Sequence, residues 1–368
     1  MMSPPASESP RRRFRRQRLI FVALATLALV AFAGCRQISY YGQAASGQMQ
    51  IFWRQKSIEK LLADSDTPAD LKRRLRVIGE ARAFAEKELH LKSKGHYTRY
   101  ADLERPNVVW NVYAAPRYSI EAKSWWYPIV GSQTYRGYFN GKGATNCAVG
   151  LKEDGFDVYV GGVEAYSTLG WFRDPVLNTW IDRDDPRLAA LVFHELTHQR
   201  LYIAGDTPFN EAFATAVERA GVRLWLAKKG DAEQRAAWDS LQRRRDDFAG
   251  LVKGTRAELQ DVYAPAGAAP KETGKNRVLK NFQQHLAELQ TQWGSTNAYR
   301  SWQIYQVNNA RLNTVSTYYD LVPGFSALLE RHDGDFESFY QEVEALGKKP
   351  KGERRKLLET YRLAREAE

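Results

Sequence analysis

Residues 191–202 read LVFHELTHQRLY, and this stretch decides how the rest of the chain is read. His194 and His198 are four residues apart, so on a helix they project from one face a single turn apart. Both imidazoles can then reach one ion at about 2.0–2.1 Å. Glu195 follows the first histidine and is displaced sideways around the helix. It can reach a water on the metal without becoming a ligand, the placement of a general base. The surroundings favour a helix here. Asp184-Asp185-Pro186 makes a helix start, with an acidic cap and proline in the first turn. Leu188, Leu191, Val192, Leu196 and Ile203 supply apolar positions around it. Only six histidines exist in the chain, and finding two of them at this spacing outweighs the plain alternative of core histidines beside an ion-paired glutamate.

A catalytic zinc site takes three protein ligands and keeps one position open. The helix is expected to end near Gly205, and Thr207-Pro208 to start another, with Thr207 as cap. The next residues are Phe209-Asn210-Glu211-Ala212-Phe213-Ala214. Glu211 falls in the first turns of that second helix, which can fold back over the first, and it is the candidate third ligand. The alternative is an acid that only stabilises the N-terminus of its own helix. Glu218, seven residues on and so on the same face, is either a fallback ligand or a partner that orients one. Asp206 sits in the turn and is less suited. Asn210 either orients a substrate amine or bonds the backbone. Zn²⁺ is the expected cofactor, although two histidines and a carboxylate also accept other divalent ions.

HExxH followed by a second helix with NExFA resembles the glutamate zincins, which include the thermolysin-like and M1-type aminopeptidases. The wider pattern is similar to a bacterial family of predicted aminopeptidases. It comprises PIVGSQTYRGYF at 128–139, the HELTHQ helix, FNEAFA, and NNARLNTVSTYYDLVPGF at 308–325. The resemblance implies a zinc peptidase with His194, His198 and Glu211 as ligands and Glu195 as base. M1-type enzymes use a downstream tyrosine on the oxyanion, which points to Tyr318 and Tyr319. Zincins also pair substrate with an extended strand before the motif helix, for which Ala165–Trp171 is the candidate; Tyr135–Phe139 either lines the cleft or forms hairpin core. The twelve residues between His198 and Glu211 are fewer than in thermolysin or M1 enzymes, so the connection must be tighter. Exopeptidase action is implied by resemblance alone, with Glu164 or Glu218 available for a substrate ammonium. An endopeptidase of envelope proteins with the same site, or a non-catalytic lipoprotein with a structural metal site, are the alternatives.

The N-terminus carries a targeting pattern. Arg11 to Arg18 (RRRFRRQR) precedes sixteen uncharged residues, 19–34, that end at Cys35. A basic segment and then a short apolar run is a secretory signal, and the run falls short of the roughly 20 residues of a membrane span. Phe32-Ala33-Gly34-Cys35 resembles a bacterial lipoprotein box, which implies lipidation of Cys35 and anchoring without a spanning helix. RRRF is also similar to part of a twin-arginine signal, and Arg36 after the cysteine implies sorting to the outer membrane. The expected location is the periplasmic side of the cell envelope. Cys147, the second cysteine, is then an unpaired small residue.

The net charge of +11 raises the question of nucleic acid. Six arginines against Glu8 in residues 1–34 account for five of those charges, leaving about +6 spread among acids on helical stretches. No RRM, zinc-finger or helix-turn-helix pattern is present, so peptide or protein is the expected substrate and partner, not nucleic acid. No motif sets the oligomeric state.

The expected fold is α+β, mainly helical and zincin-like, with a small β-sheet before the HExxH helix. Residues 1–34 are read as signal, 35–48 as tether and 49–368 as one domain. Helices are expected near 49–63, 68–91, 186–204, 208–228, 231–252, 276–293, 297–310, 336–346 and 351–366. Strands are expected at 108–113 and near 117–123, 134–140 and 156–160, with turns such as Gly141-Lys142-Gly143 and a loop at 264–275.

Overall fold

The computed structural model describes residues 40–127, 131–165, 173–264, 271–295 and 297–366. The chain divides into two units, residues 1–50 and Ile51–Glu368. Of the first, 40–50 are helical and belong to helix α1, residues 40–53, where the sequence suggested a tether until 48. Cys35 and the apolar run before it lie outside the described residues. Among the described residues no helix is long and apolar enough to cross a membrane.

The second unit is mainly helical with small sheets, the α+β class expected. The helix read at 49–63 is interrupted: β1 (Gln55–Ser57) separates α1 from α2 (Ile58–Ala63). After α3 (Ala69–Glu88) come β2 (Arg99–Ala101) and β3 (Val109–Pro116). The strand expected at 117–123 is absent; the next ones are β4 (Trp125–Tyr127), β5 (Gly131–Gln133) and β6 (Arg136–Tyr138). Gly141-Lys142-Gly143 does not turn but opens α4 (Gly141–Glu153), because Asn140 caps it by accepting from the Gly143 N–H. A side chain at the cap thus overrides the glycines' preference for a loop. Next are β7 (Phe156–Val163), β8 (Val176–Leu177) and the one-turn α5 (Asn178–Ile181).

Sheet pairing puts β3 at the centre of an antiparallel β6-β3-β7 sheet. β1-β2-β8 form a second sheet, with β2 and β8 parallel, and β4 pairs with β5. On β3 the even positions Val112 and Ala114 pack on Ala144, Ala148 and Leu151 of α4, and the half-buried Cys147 joins them. The alternation sends Tyr113 to the other face, opposite Tyr159 of β7 in the strand register.

The remainder is helical: α6 (Asp185–Arg200), α7 (Thr207–Lys229), α8 (Ala232–Tyr263), α9 (Lys271–Gln292), α10 (Ser301–Ile304), α11 (Asn309–Tyr319), α12 (Val322–Arg331), α13 (Phe336–Gly347) and α14 (Lys351–Glu366). Helix α8 continues well past 252. The helix expected over 297–310 is instead the single turn α10, and α9 begins inside the loop expected at 264–275. The 308–325 stretch, given a helix only up to 310 by the sequence reading, forms α11 and the start of α12.

The motif helix α6 is sandwiched. Leu188, Val192, Phe193 and Leu196 are buried on it. The Phe193 ring stacks on Phe84 of α3 at 5.8 Å and meets Trp225 of α7 edge-on at 6.3 Å. Burying one such ring stabilises the fold by roughly 1.5–3 kcal/mol. Helices α6 and α7 approach closely at Gly221, where a Cβ would stand 2.7 Å from Leu89 Cδ1 and 2.9 Å from Phe193 Cδ2. Leu89 and Phe193 are fully buried and cannot step aside. Gly221→Ala is therefore expected to destabilise by about 1–2 kcal/mol in chemical denaturation, overpacking outweighing alanine's better helix propensity. A more stable variant would show that the two helices are free to part.

Candidate metal centre

Helix α6 starts as the sequence implies: the Asp184 side chain accepts from the Arg187 N–H at 3.0 Å, and Pro186 lies in the first turn. It runs through the motif to Arg200, and Leu201 leaves it in extended geometry. Residues 201–206 then reverse the chain. Gly205 supplies the left-handed residue of that reversal, at φ +78°. Asn210 is almost fully buried and grips the loop from α7. Its Nδ2 donates to the Ile203 carbonyl at 2.8 Å, and its Oδ1 accepts from the Ile203 N–H at 2.9 Å. Asn210 therefore serves the backbone. That pair of hydrogen bonds lets so short a connection return α7 antiparallel beside α6, with Glu211 over the histidines.

The cap of α7 is Asp206, not Thr207. Its side chain does not bond its own helix, because Arg354 of α14 holds it at 2.7 Å and Lys351 lies 3.5 Å away. Asp206 and Arg354 are both buried, and the Arg354 guanidinium also donates to the Gly347 and Lys349 carbonyls. Asp206 is thus committed away from the histidines. Asp206→Ala is expected to cost about 3 kcal/mol, the low end for stranding a buried charge, since the two carbonyls remain. The denaturant midpoint measures it, and a neutral result would place Arg354 in water.

At the centre, His194 Nε2 lies 3.2 Å from His198 Nε2 and 3.3 Å from Glu211 Oε2, and His198 Nε2 lies 3.8 Å from Glu211 Oε1. These three residues form the one group of metal-ligating side chains found among the described residues. Ligands at about 2.0–2.1 Å in a tetrahedron stand roughly 3.3–3.4 Å apart. The His194–His198 and His194–Glu211 separations match those edges, and His198 is more open to Glu211, at 3.8 Å from its other oxygen. Behind His194, Glu218 Oε2 sits 3.1 Å from Nδ1. The two ring nitrogens face opposite ways, so Glu218 cannot share the point that Nε2 faces. It accepts a hydrogen bond from Nδ1–H, which leaves the Nε2 lone pair directed at the other two donors. Converging lone pairs need a cation between them, and the donor set therefore fits Zn²⁺.

The electrostatics agree with a cation site. Burial would lower the His194 pKa, but hydrogen bonds to Glu211 and Glu218 and their charge hold it well above the ordinary histidine value. Burial pushes His198 down to about 4 despite the pull of Glu211. Burial would raise Glu211 and Glu218, yet both are lowered, Glu211 by the two histidines and Glu218 by His194 and Arg245. Two buried carboxylates thus stay ionised, as a site for a positive ion requires.

Glu195 is not in the donor group. A neighbour that the sequence reading did not single out is Tyr97, buried and left-handed at φ +58°. Burial first, and then the charge of Glu195, raises its hydroxyl pKa well above the usual value. Tyr113 is a second such residue. Burial, with a smaller contribution from Glu211, pushes it up to about 12, so it remains a protonated donor. It stacks near Tyr159, ring centroids 6.1 Å apart, and Tyr135 at 5.8 Å joins the same wall. The strand alternation of Val108 to Tyr113 was the available signal for Tyr113; for Tyr97, in a short loop, there was none.

Other expected site residues lie elsewhere. Glu164 is paired with Arg183 at 2.6 Å. Asn308 and Asn309, in the 308–325 stretch, are structural: Asn308 caps α11, and buried Asn309 donates to the Pro116 carbonyl at the end of β3 and to the Arg117 and Ser119 carbonyls after it. Tyr318 and Tyr319 are on the last turn of α11, but their side chains lie outside the described part of the structure, as do residues 166–171 of the expected substrate strand.

No curated protein and no solved structure matches this sequence. One family profile, described as "Putative aminopeptidase", matches residues 39–358, which takes in the HELTHQ helix, Glu211, Glu218 and the asparagine-capped α11. With a match running over nearly the whole second unit, the chain belongs to the Putative aminopeptidase family.

Proposed function

We propose that this protein is a zinc-dependent aminopeptidase, with His194, His198 and Glu211 as metal ligands and Glu195 as general base. The observation that carries the reading is that two imidazole nitrogens 3.2 Å apart stand 3.3 and 3.8 Å from the two oxygens of one carboxylate, on two helices locked by buried packing. Zn²⁺ bound there supplies positive charge that polarises the scissile carbonyl. Glu195 takes the proton of the attacking water and returns it to the leaving amine. Glu218 fixes the orientation of His194. Tyr318 or Tyr319, at the end of α11, donates to the developing oxyanion, with Tyr113, protonated at neutral pH and within the field of Glu211, as the second candidate for that role.

The test is metal analysis of the purified protein beside hydrolysis of peptides with free and acetylated N-termini. About one zinc per chain and cleavage of only the free peptides are expected. Equal cleavage of both makes it an endopeptidase, and no bound zinc removes the metal centre. We also propose that acyl chains on Cys35 tether the enzyme to the periplasmic face of the outer membrane. Mass spectrometry of the mature N-terminus decides that, and an unmodified Cys35 overturns it.

A further inference from the structure

We propose that Arg245, on α8, is a positioning residue for the metal ligand His194 and acts through Glu218. The inference rests on the zinc-site reading above. Both oxygens of the Glu218 carboxylate are engaged, on opposite sides. Oε2 faces His194 Nδ1 at 3.1 Å, and Oε1 faces an Arg245 guanidinium nitrogen, also at 3.1 Å. A carboxylate held by one partner can rotate about its last bonds, whereas one held by two is fixed in plane and direction. The Glu218 side chain is nearly buried, so water is a poor substitute for either partner. Arg245 is itself confined, its guanidinium carbon lying 5.9 Å from the ring centre of buried Trp238, two turns back on α8. The chain of contacts Trp238–Arg245–Glu218–His194 thus runs from α8 across α7 to α6, and its end is the direction of the His194 Nε2 lone pair. A small swing of Glu218 would turn the imidazole off the point where three donors meet.

Two simpler accounts give different results. As a bare positive charge near a dication, Arg245 should weaken zinc binding, and its removal should tighten it. As a fastener of α8 to α7, it should be no different from the neighbouring pairs Arg219–Asp246 at 2.7 Å and Arg223–Asp239 at 4.0 Å. Positioning alone predicts that loss of Arg245 weakens zinc binding while loss of a neighbouring pair does not.

The experiment strips the full chain of metal with a chelator and titrates Zn²⁺ against a chelating dye. Circular dichroism and the thermal midpoint of the stripped protein check folding. Arg245→Met is expected to raise the zinc Kd about tenfold. Arg245→Lys should recover part of the loss, since a lysine restores the charge but not the planar fork. Asp246→Asn should leave the Kd unchanged. In Glu218→Gln, adding Arg245→Met should cost little more, because the path is already cut. An unchanged or lower Kd for Arg245→Met overturns the inference, as does an equal loss for Asp246→Asn. If the wild type binds no zinc, the metal centre itself falls and this inference with it; a zinc-binding wild type with an indifferent Arg245 removes the inference alone.

Discussion

Glu195→Gln is expected to keep its zinc and to lose hydrolysis by about 10²–10⁴-fold, the usual worth of a positioned general base. The reason is the geometry of one helix. Glu195 follows His194 and so points about 100° around α6 from the face that carries both histidines. It falls outside the group of donors formed by His194, His198 and Glu211. Glutamine keeps the volume and the hydrogen-bonding span of the side chain but cannot take a proton at neutral pH. Metal content should stay at the wild-type stoichiometry and kcat should fall, while KM, set by residues that only bind, should move little. Loss of zinc from this variant would mean that Glu195 helps hold the ion. Retained activity would move the base elsewhere.

The parts of this site that could be read from sequence are those fixed by local rules. The spacing of His194 and His198, the Asp184 cap and Pro186 all act within one helix, and the structure places them as expected. The position of Glu211 needed one more step, the return of α7 over α6. Sequence suggested the return but not what makes it so short. Gly205 and the two-way bond between Asn210 and Ile203 do that, and Asn210 could be read equally well as a substrate ligand. Contacts between distant residues were not legible. Asp206 looked like an ordinary turn acid until Arg354, far along the chain, was seen to hold it. Arg245 looked like one of many basic residues on an exposed helix. The errors in secondary structure have the same origin. The Gly141–Gly143 stretch reads as a turn on propensity, and Asn140 together with packing on Trp110 makes it a helix start. β1 interrupts a stretch of helical composition because β2 offers it a strand partner.

Glu211→Ala carries the second large effect: zinc binding should weaken by more than about 100-fold, beyond the 10–100-fold typical of losing a partner behind a ligand. Hydrolysis at ordinary zinc levels should fall to background with it. The substitution removes the donor whose oxygens stand 3.3 and 3.8 Å from the two histidine nitrogens. It does not disturb what positions α7, because the Asn210 bonds, the Asp206–Arg354 pair and the close approach at Gly221 remain. Glu218 stays on the Nδ1 side of His194 and cannot move into the vacated place, since the imidazole ring stands between. The stripped variant should therefore fold like stripped wild type. The two should separate only on adding metal, when zinc at 100 times its wild-type Kd stabilises the wild type by about 2.7 kcal/mol and the variant far less. A thermal shift series against Zn²⁺ measures the difference directly. If the variant gains as much stability as the wild type, Glu211 is only the acid of its own helix start, and the third ligand must be sought outside the described residues.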